Sequence, residues 1–189
     1  MPSVLRNLSH TLSWSDFRGQ VPSNASLNAQ TAVDIEFTRL EVERTSSGVR
    51  LRDNVILTIA LKHNQSWAKQ NARTAALLNH EQGHYHITAL TGRDMFIDLM
   101  QLKSQTFSGY PALQSELNGI RARYNAQAMH DKYDARSETD HGRDSAKQRI
   151  WDGYFQRART HPRSPRLVAP DGAVYKVRLR DVLRAAGKI

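Results

Sequence analysis

The chain has 189 residues, enough for one domain with a real core, and its 39% hydrophobic and 24% charged residues fit a folded protein rather than a disordered one. It contains no cysteine, which excludes disulfides, thiolate zinc sites and a cysteine nucleophile and leaves the compartment open. The net charge of +9 favours anionic partners such as nucleic acid, a membrane surface or an acidic protein, while no stretch approaches the roughly 18 apolar residues of a membrane span.

The N-terminal segment has no apolar run of signal-peptide length. Leu12 and Trp14 suggest an edge strand near the start. Along residues 31–42, Val33, Ile35 and Phe37 alternate onto one face, and Leu40 and Val42 continue after a phase slip. This reads as a strand with a bulge. A Ser-Ser-Gly turn at 46–48 precedes Val55, Leu57, Ile59 and Leu61, which alternate again, so the two runs read as an antiparallel pair. From Gln70 to Ser104 the period becomes helical, with Gly92 as the place where a helix of that length would weaken. A loop at Gly109, Tyr110 and Pro111 leads to a second helical pattern over 112–130, carried by Leu113, Leu117, Ile120 and Tyr124. Residues 131–143 are polar and aperiodic and read as a loop; 144–159 are helical again around Ile150, Trp151, Tyr154 and Phe155. Beyond Pro162 and Pro165 the pattern predicts a hairpin turning at Pro170, Asp171 and Gly172, then a short helix. The expected fold class is α+β: a small antiparallel sheet against a long helix and two further helices, with a C-terminal hairpin and helix as an extension.

The chemistry is concentrated at His80-Glu81-Gln82-Gly83-His84. Residues four apart share a helix face, so His80 and His84 can offer two imidazoles to one metal ion while Glu81 takes a proton from water beside it. At about 100° per residue, Leu77, His80, His84, Ile87, Thr91, Met95, Leu99 and Leu102 fall on one stripe. The histidines therefore face the interior, where unpaired imidazoles would be costly and metal ligation would satisfy them.

A catalytic zinc site usually has three protein ligands. On a straight helix Asp94 would lie about 15 Å beyond His84, and His86 is on another face, so the third ligand is expected from elsewhere. The polar loop supplies His130, Asp131, Asp134, Glu138, Asp140 and His141. His141 is favoured because Gly142 permits a tight turn, with Glu138 and Asp140 as alternatives.

LLNHEQGHYHI and the later YDARSETDHGRDSAKQRIW resemble a bacterial family of predicted secreted zinc-dependent proteases. LSWSDFRGQVP and TAVDIEF are similar to that family's opening, and the likeness spans roughly residues 12–155. The family's pattern falls here on Leu77, Leu78, His80, Glu81, Gly83, His84, Tyr133, Asp134, Thr139, His141, Gly142, Gln148 and Trp151. The resemblance implies a zincin-like metallopeptidase domain over residues 1–160 with His141 in the site, a basic extension over 161–189, and export from the cytoplasm. Two departures stand: this N-terminus carries no export signal, and the interval from Tyr133 to His141 is longer than the family pattern suggests.

The expected activity is zinc-dependent hydrolysis of a peptide bond. His80, His84 and His141 would hold Zn²⁺, and Glu81 would act as general base. Tyr133, Tyr85 or His86 would steady the developing oxyanion, and Asp134 or Glu138 would orient a ligand histidine. Trp14, Asp16 and Phe17 would either shape a substrate cleft or belong to the core. Two other classes compete. One is a non-catalytic basic module in which Arg157, Arg159, Arg163, Arg166, Arg178, Arg180 and Arg184 contact nucleic acid or an acidic protein partner; nucleic acid is the less favoured of these. The other keeps the metal and cuts a non-peptide amide.

Overall fold

The computed structural model describes residues 2–159 and 178–189. The chain is α+β. Its strands are β1 (Val4–Arg6), β2 (Ala29–Gln30), β3 (Val33–Arg39), β4 (Val42–Thr45), β5 (Gly48–Leu51), β6 (Ile56–Leu61) and β7 (Trp67–Ala68). Its helices are α1 (Ala75–Leu102), α2 (Tyr110–Arg123), α3 (Gln127–Asp134), α4 (Ser145–Arg159) and α5 (Leu179–Ala185). No helix among the described residues is long and apolar enough to cross a membrane.

The β3 and β6 pair is antiparallel, as the two alternating runs require, and its register shifts between Phe37 and Arg39, where the phase slip lies. Around this pair the strands and turns differ from the sequence reading. The Ser-Ser-Gly turn closes a separate hairpin, β4 with β5, rather than joining β3 to β6. The N-terminal edge strand is β1, which lies parallel to β6, whereas Trp14–Asp16 form a 3-10 turn. That turn is held by the Asp16 carboxylate, which accepts the Ser13 backbone N–H at 2.8 Å; this local bond competes with strand pairing.

Helix α1 is the spine. It starts at Ala75 because the Thr74 hydroxyl caps the Leu77 N–H at 3.1 Å. It runs unbroken through Gly92. A Cβ there would stand 2.5 Å from Ile59 Cδ1 and 3.4 Å from Ile35 Cγ1, so glycine lets the helix lie directly on the sheet instead of ending it. Three apolar clusters surround this helix. Met95, Phe96 and Leu99 pack with β5, β6 and α2. Ile87 and Leu90 pack with α3, α4 and α5. Tyr85 and Ala89 pack with the N-terminal segment and β6. Each buried Phe, Leu or Ile contributes about 1.5–3 kcal/mol, and α1 collects that contribution on every side.

The single helix expected over 112–130 is two. Tyr124 ends α2 with its hydroxyl donated to Asp98 Oδ2 at 2.7 Å, and the Asn125 side chain accepts the Gln127 N–H at 2.9 Å to start α3 in a new direction. That bend turns α3 toward the middle of α1, and helix replaces loop as far as Asp134.

The expected hairpin around Pro170 lies outside the described residues. The short terminal helix is α5, and its Leu179, Val182 and Leu183 sit in the same cluster as Trp151 and Phe155. Asp94 accepts the Leu179 N–H at 3.1 Å, and Arg178 reaches Asp98 at 2.7 Å. At least one arginine of the basic C-terminal stretch is thus committed to an internal ion pair.

Candidate metal centre

The helical spacing of four places His80 and His84 on one face of α1, with ring centroids 4.9 Å apart. Asp134, the last residue of α3, comes to them from a second helix. Its Oδ1 stands 3.1 Å from His80 Nε2 and 3.1 Å from His84 Nε2. Ligands about 2.0–2.1 Å from a tetrahedral ion stand roughly 3.3 Å from one another, so these separations suit one small cation. Among the described residues, His80, His84 and Asp134 form a group that could hold a metal ion.

The hydrogen bonds around the group assign the ring protons. Gln148 Nε2 donates to Asp152 Oδ1 at 2.9 Å, which turns Gln148 Oε1 toward His80 Nδ1, 3.3 Å away. An oxygen facing Nδ1 calls for a proton there and leaves a lone pair on Nε2. The buried Asp134 Oδ1 receives no well-aligned hydrogen bond from a described residue. Lone pairs of nitrogen and carboxylate therefore converge on one point, an arrangement that is costly unless a cation fills it. Two imidazoles and a carboxylate are donors that suit a divalent transition-metal ion.

Burial opposes charge on Asp134, but the His80 and His84 imidazoles outweigh it and hold the carboxyl well below its ordinary value. Burial likewise opposes charge on His84, and Asp134 and Glu81 together raise it above the ordinary imidazole value.

Glu81 is only 3% exposed, and its Oε2 accepts the Thr31 hydroxyl at 2.6 Å. His80, His84, Glu81 and Asp134 line one cavity of about 790 Å³, which the stretch 27–34 and residues 69, 71 and 72 also line. That volume lies within the usual range for ligand sites.

His141 also lines this cavity, yet its position differs from that of the group above. Its Nδ1 is 3.7 Å from Asp134 Oδ2, the carboxylate oxygen other than the one that meets His80 and His84, and its side chain is 40% exposed. Asp140, His141 and Gly142 all have positive φ, at 48°, 52° and 81°. Gly142 is needed twice over: for its left-handed φ, and because a Cβ would meet His80 Cβ at 2.7 Å. The tight turn expected from glycine is present and presses the chain against His80.

The other residues named from sequence are placed elsewhere. Glu138 turns inward, accepting Trp151 Nε1 at 3.0 Å and Lys188 Nζ at 2.8 Å, so it braces the loop against α4 and the C-terminus. Asp140 faces Arg143 at 3.7 Å. The Tyr133 ring stacks on His80 with centroids 4.7 Å apart, and its hydroxyl donates to the His80 carbonyl at 3.1 Å and meets Gln148 Oε1 at 2.9 Å. Burial raises that phenol well above its ordinary value, so it stays protonated and supports the His80 turn of α1 from outside the cavity. Tyr85 donates its hydroxyl to the Asn7 carbonyl. His86 lines a different cavity, where burial and Arg159 push its imidazole down to about 4. Phe17 is core, Trp14 packs on it, and Asp16 binds Ser13 and lies near His10 and His63.

Sequence reasoning gave no role to Thr31; it counted His130 and Asp134 among the loop residues able to supply the third donor without favouring either, and otherwise gave Asp134 a supporting role. The signal for Asp134 was its spacing of four from His130, which repeats the His80 and His84 interval on a second helix.

Gly83 shows how tightly this face is built. A Cβ there would lie 2.1 Å from the Tyr133 hydroxyl oxygen. Alanine would gain about 1 kcal/mol of helix propensity, but Tyr133 is held between His80 and Gln148 and cannot retreat without losing those bonds. Gly83→Ala is expected to lower stability by about 1–3 kcal/mol net, as overpacking does, measured as a fall in the urea midpoint.

Comparison of the chain with protein-family models, with curated proteins and with solved structures finds no match.

Proposed function

We propose that the chain is a zinc-dependent hydrolase of peptide bonds, with the ion held by His80, His84 and Asp134. The observation that carries this reading is the convergence of His80 Nε2 and His84 Nε2 on the unbonded Asp134 Oδ1, with the Glu81 carboxylate in the same cavity. When bound, zinc supplies a Lewis acid that polarises a carbonyl and acidifies water toward a pKa of about 7.

The chain's own groups do the rest. Glu81 follows His80 in the chain and lines the same cavity, and it is not one of the converging donors. It takes the proton of the attacking water and later delivers it to the leaving amine. Thr31 fixes the rotamer of that carboxylate through Oε2, so the proton is accepted from a constant direction. Gln148 and Tyr133 hold His80 in the ring orientation and tautomer that ligation needs. The resemblance to the zinc-dependent protease family supports a peptide substrate, as does a cavity lined by β2 and the start of β3.

The test is zinc uptake by the metal-free protein, followed by hydrolysis of a mixed peptide library with and without chelator. One zinc per chain and chelator-sensitive cleavage are expected; no zinc uptake would overturn the reading. Zinc affinity is expected to rise with pH through and above the ordinary imidazole value of about 6.5. The sign follows from His84, whose raised pKa keeps a proton on the metal-free site until that range is passed. Asp134, held low, is already ionised there and adds no slope.

A further inference from the structure

Helices α1 and α3 face each other through two pairs, each with a spacing of four: His84 with Thr88, and His130 with Asp134. His84 Nε2 meets Asp134 Oδ1 at 3.1 Å, His84 Nδ1 meets His130 Nδ1 at 2.9 Å, and His130 Nε2 meets the Thr88 hydroxyl at 3.1 Å. The rungs form a ladder with one consistent assignment of protons for a ligating His84. If His84 Nε2 is to offer a lone pair to an ion, its ring proton lies on Nδ1 and is donated to His130 Nδ1. His130 then carries its own proton on Nε2 and donates it to Thr88, a buried hydroxyl. With the opposite tautomer of His130, His84 would hold its proton on Nε2 and could not ligate.

We propose that His130 is a positioning residue that sets the metal-competent tautomer and ring orientation of His84, with Thr88 fixing His130 in turn. This rests on the zinc-site reading above. It gives His130 a role acting through His84, and it explains why one short helix presents both the carboxylate ligand and, one turn earlier, a second imidazole. Supporting hydrogen-bond partners of metal ligands typically change affinity by about 10–100-fold.

The experiment measures zinc affinity by chelator competition in the full chain, for wild type, His130→Leu and His130→Asn. Leucine removes the acceptor and keeps much of the volume. Asparagine places Oδ1 where Nδ1 stood and can still accept from His84. His130→Leu is expected to weaken zinc binding by about 10–100-fold, and His130→Asn to restore most of it. A long-range ¹H–¹⁵N spectrum of the zinc-loaded wild type is expected to show His84 protonated at Nδ1. Thermal unfolding of the metal-free variants separates misfolding from loss of the ligand's support. If wild type binds zinc and His130→Leu binds it equally well, the inference falls while the metal reading stands. Equal losses in the leucine and asparagine variants, or His84 protonated at Nε2, would also overturn it. Failure of wild type to bind zinc would overturn the metal reading, and this inference with it.

Discussion

Glu81→Gln is expected to keep one zinc per chain and to lower peptide hydrolysis by about 10²–10⁴-fold, the range that positioned general bases supply. The substitution preserves shape and leaves the Thr31 hydroxyl an oxygen to donate to. His80, His84 and Asp134 are untouched, so metal content by elemental analysis should match wild type. What is lost is proton acceptance, because an amide is not basic at neutral pH. Hydrolysis at the wild-type rate with zinc retained would remove Glu81 from the mechanism. A variant that lost the metal as well would show Glu81 to be part of the ion's binding set instead.

Asp134→Ala is expected to abolish stoichiometric zinc binding, a larger loss than the roughly 10–100-fold attached to a supporting partner. The carboxylate supplies the point at which both histidine nitrogens meet, and alanine would leave two imidazoles and no anionic donor. The companion variant, His141→Ala, is expected to retain most of the zinc, because His141 faces the other carboxylate oxygen at 3.7 Å and is partly exposed. Competition titration with a zinc indicator reads both. The reverse pattern, with zinc kept in Asp134→Ala and lost in His141→Ala, would return the third place to His141 and make Asp134 its orienting partner.

His141 and Asp134 show where sequence stops being informative. The loop holds several residues able to ligate, and their order along the chain does not say which approaches α1. Aim is set by the start of α3, where the Asn125 side chain captures the Gln127 N–H, and by how far that helix runs before it ends at Asp134. A helix boundary moved by one residue would turn the carboxylate by about 100°. Gly92 teaches the complementary lesson. Propensity marks it as a weak point, but its missing side chain is what lets α1 seat on Ile59 and Ile35. The Ser-Ser-Gly turn is real, yet which strands it joins depended on β4 and β5 forming a hairpin of their own.

The sequence by itself determined the paired histidines one turn apart, the adjacent carboxylate, the alternating strands with their slip, and the helical periods. These follow from repeats of 2 and 3.6 residues, which local backbone geometry imposes wherever the chain goes. Tertiary structure decided that Asp134 meets the two histidines, the Thr31 contact to Glu81, the His130 ladder and the packing of α5 into the core. Each of these joins residues far apart in sequence. Such contacts depend on how helices pack, and no local period encodes the angle at which one helix meets another.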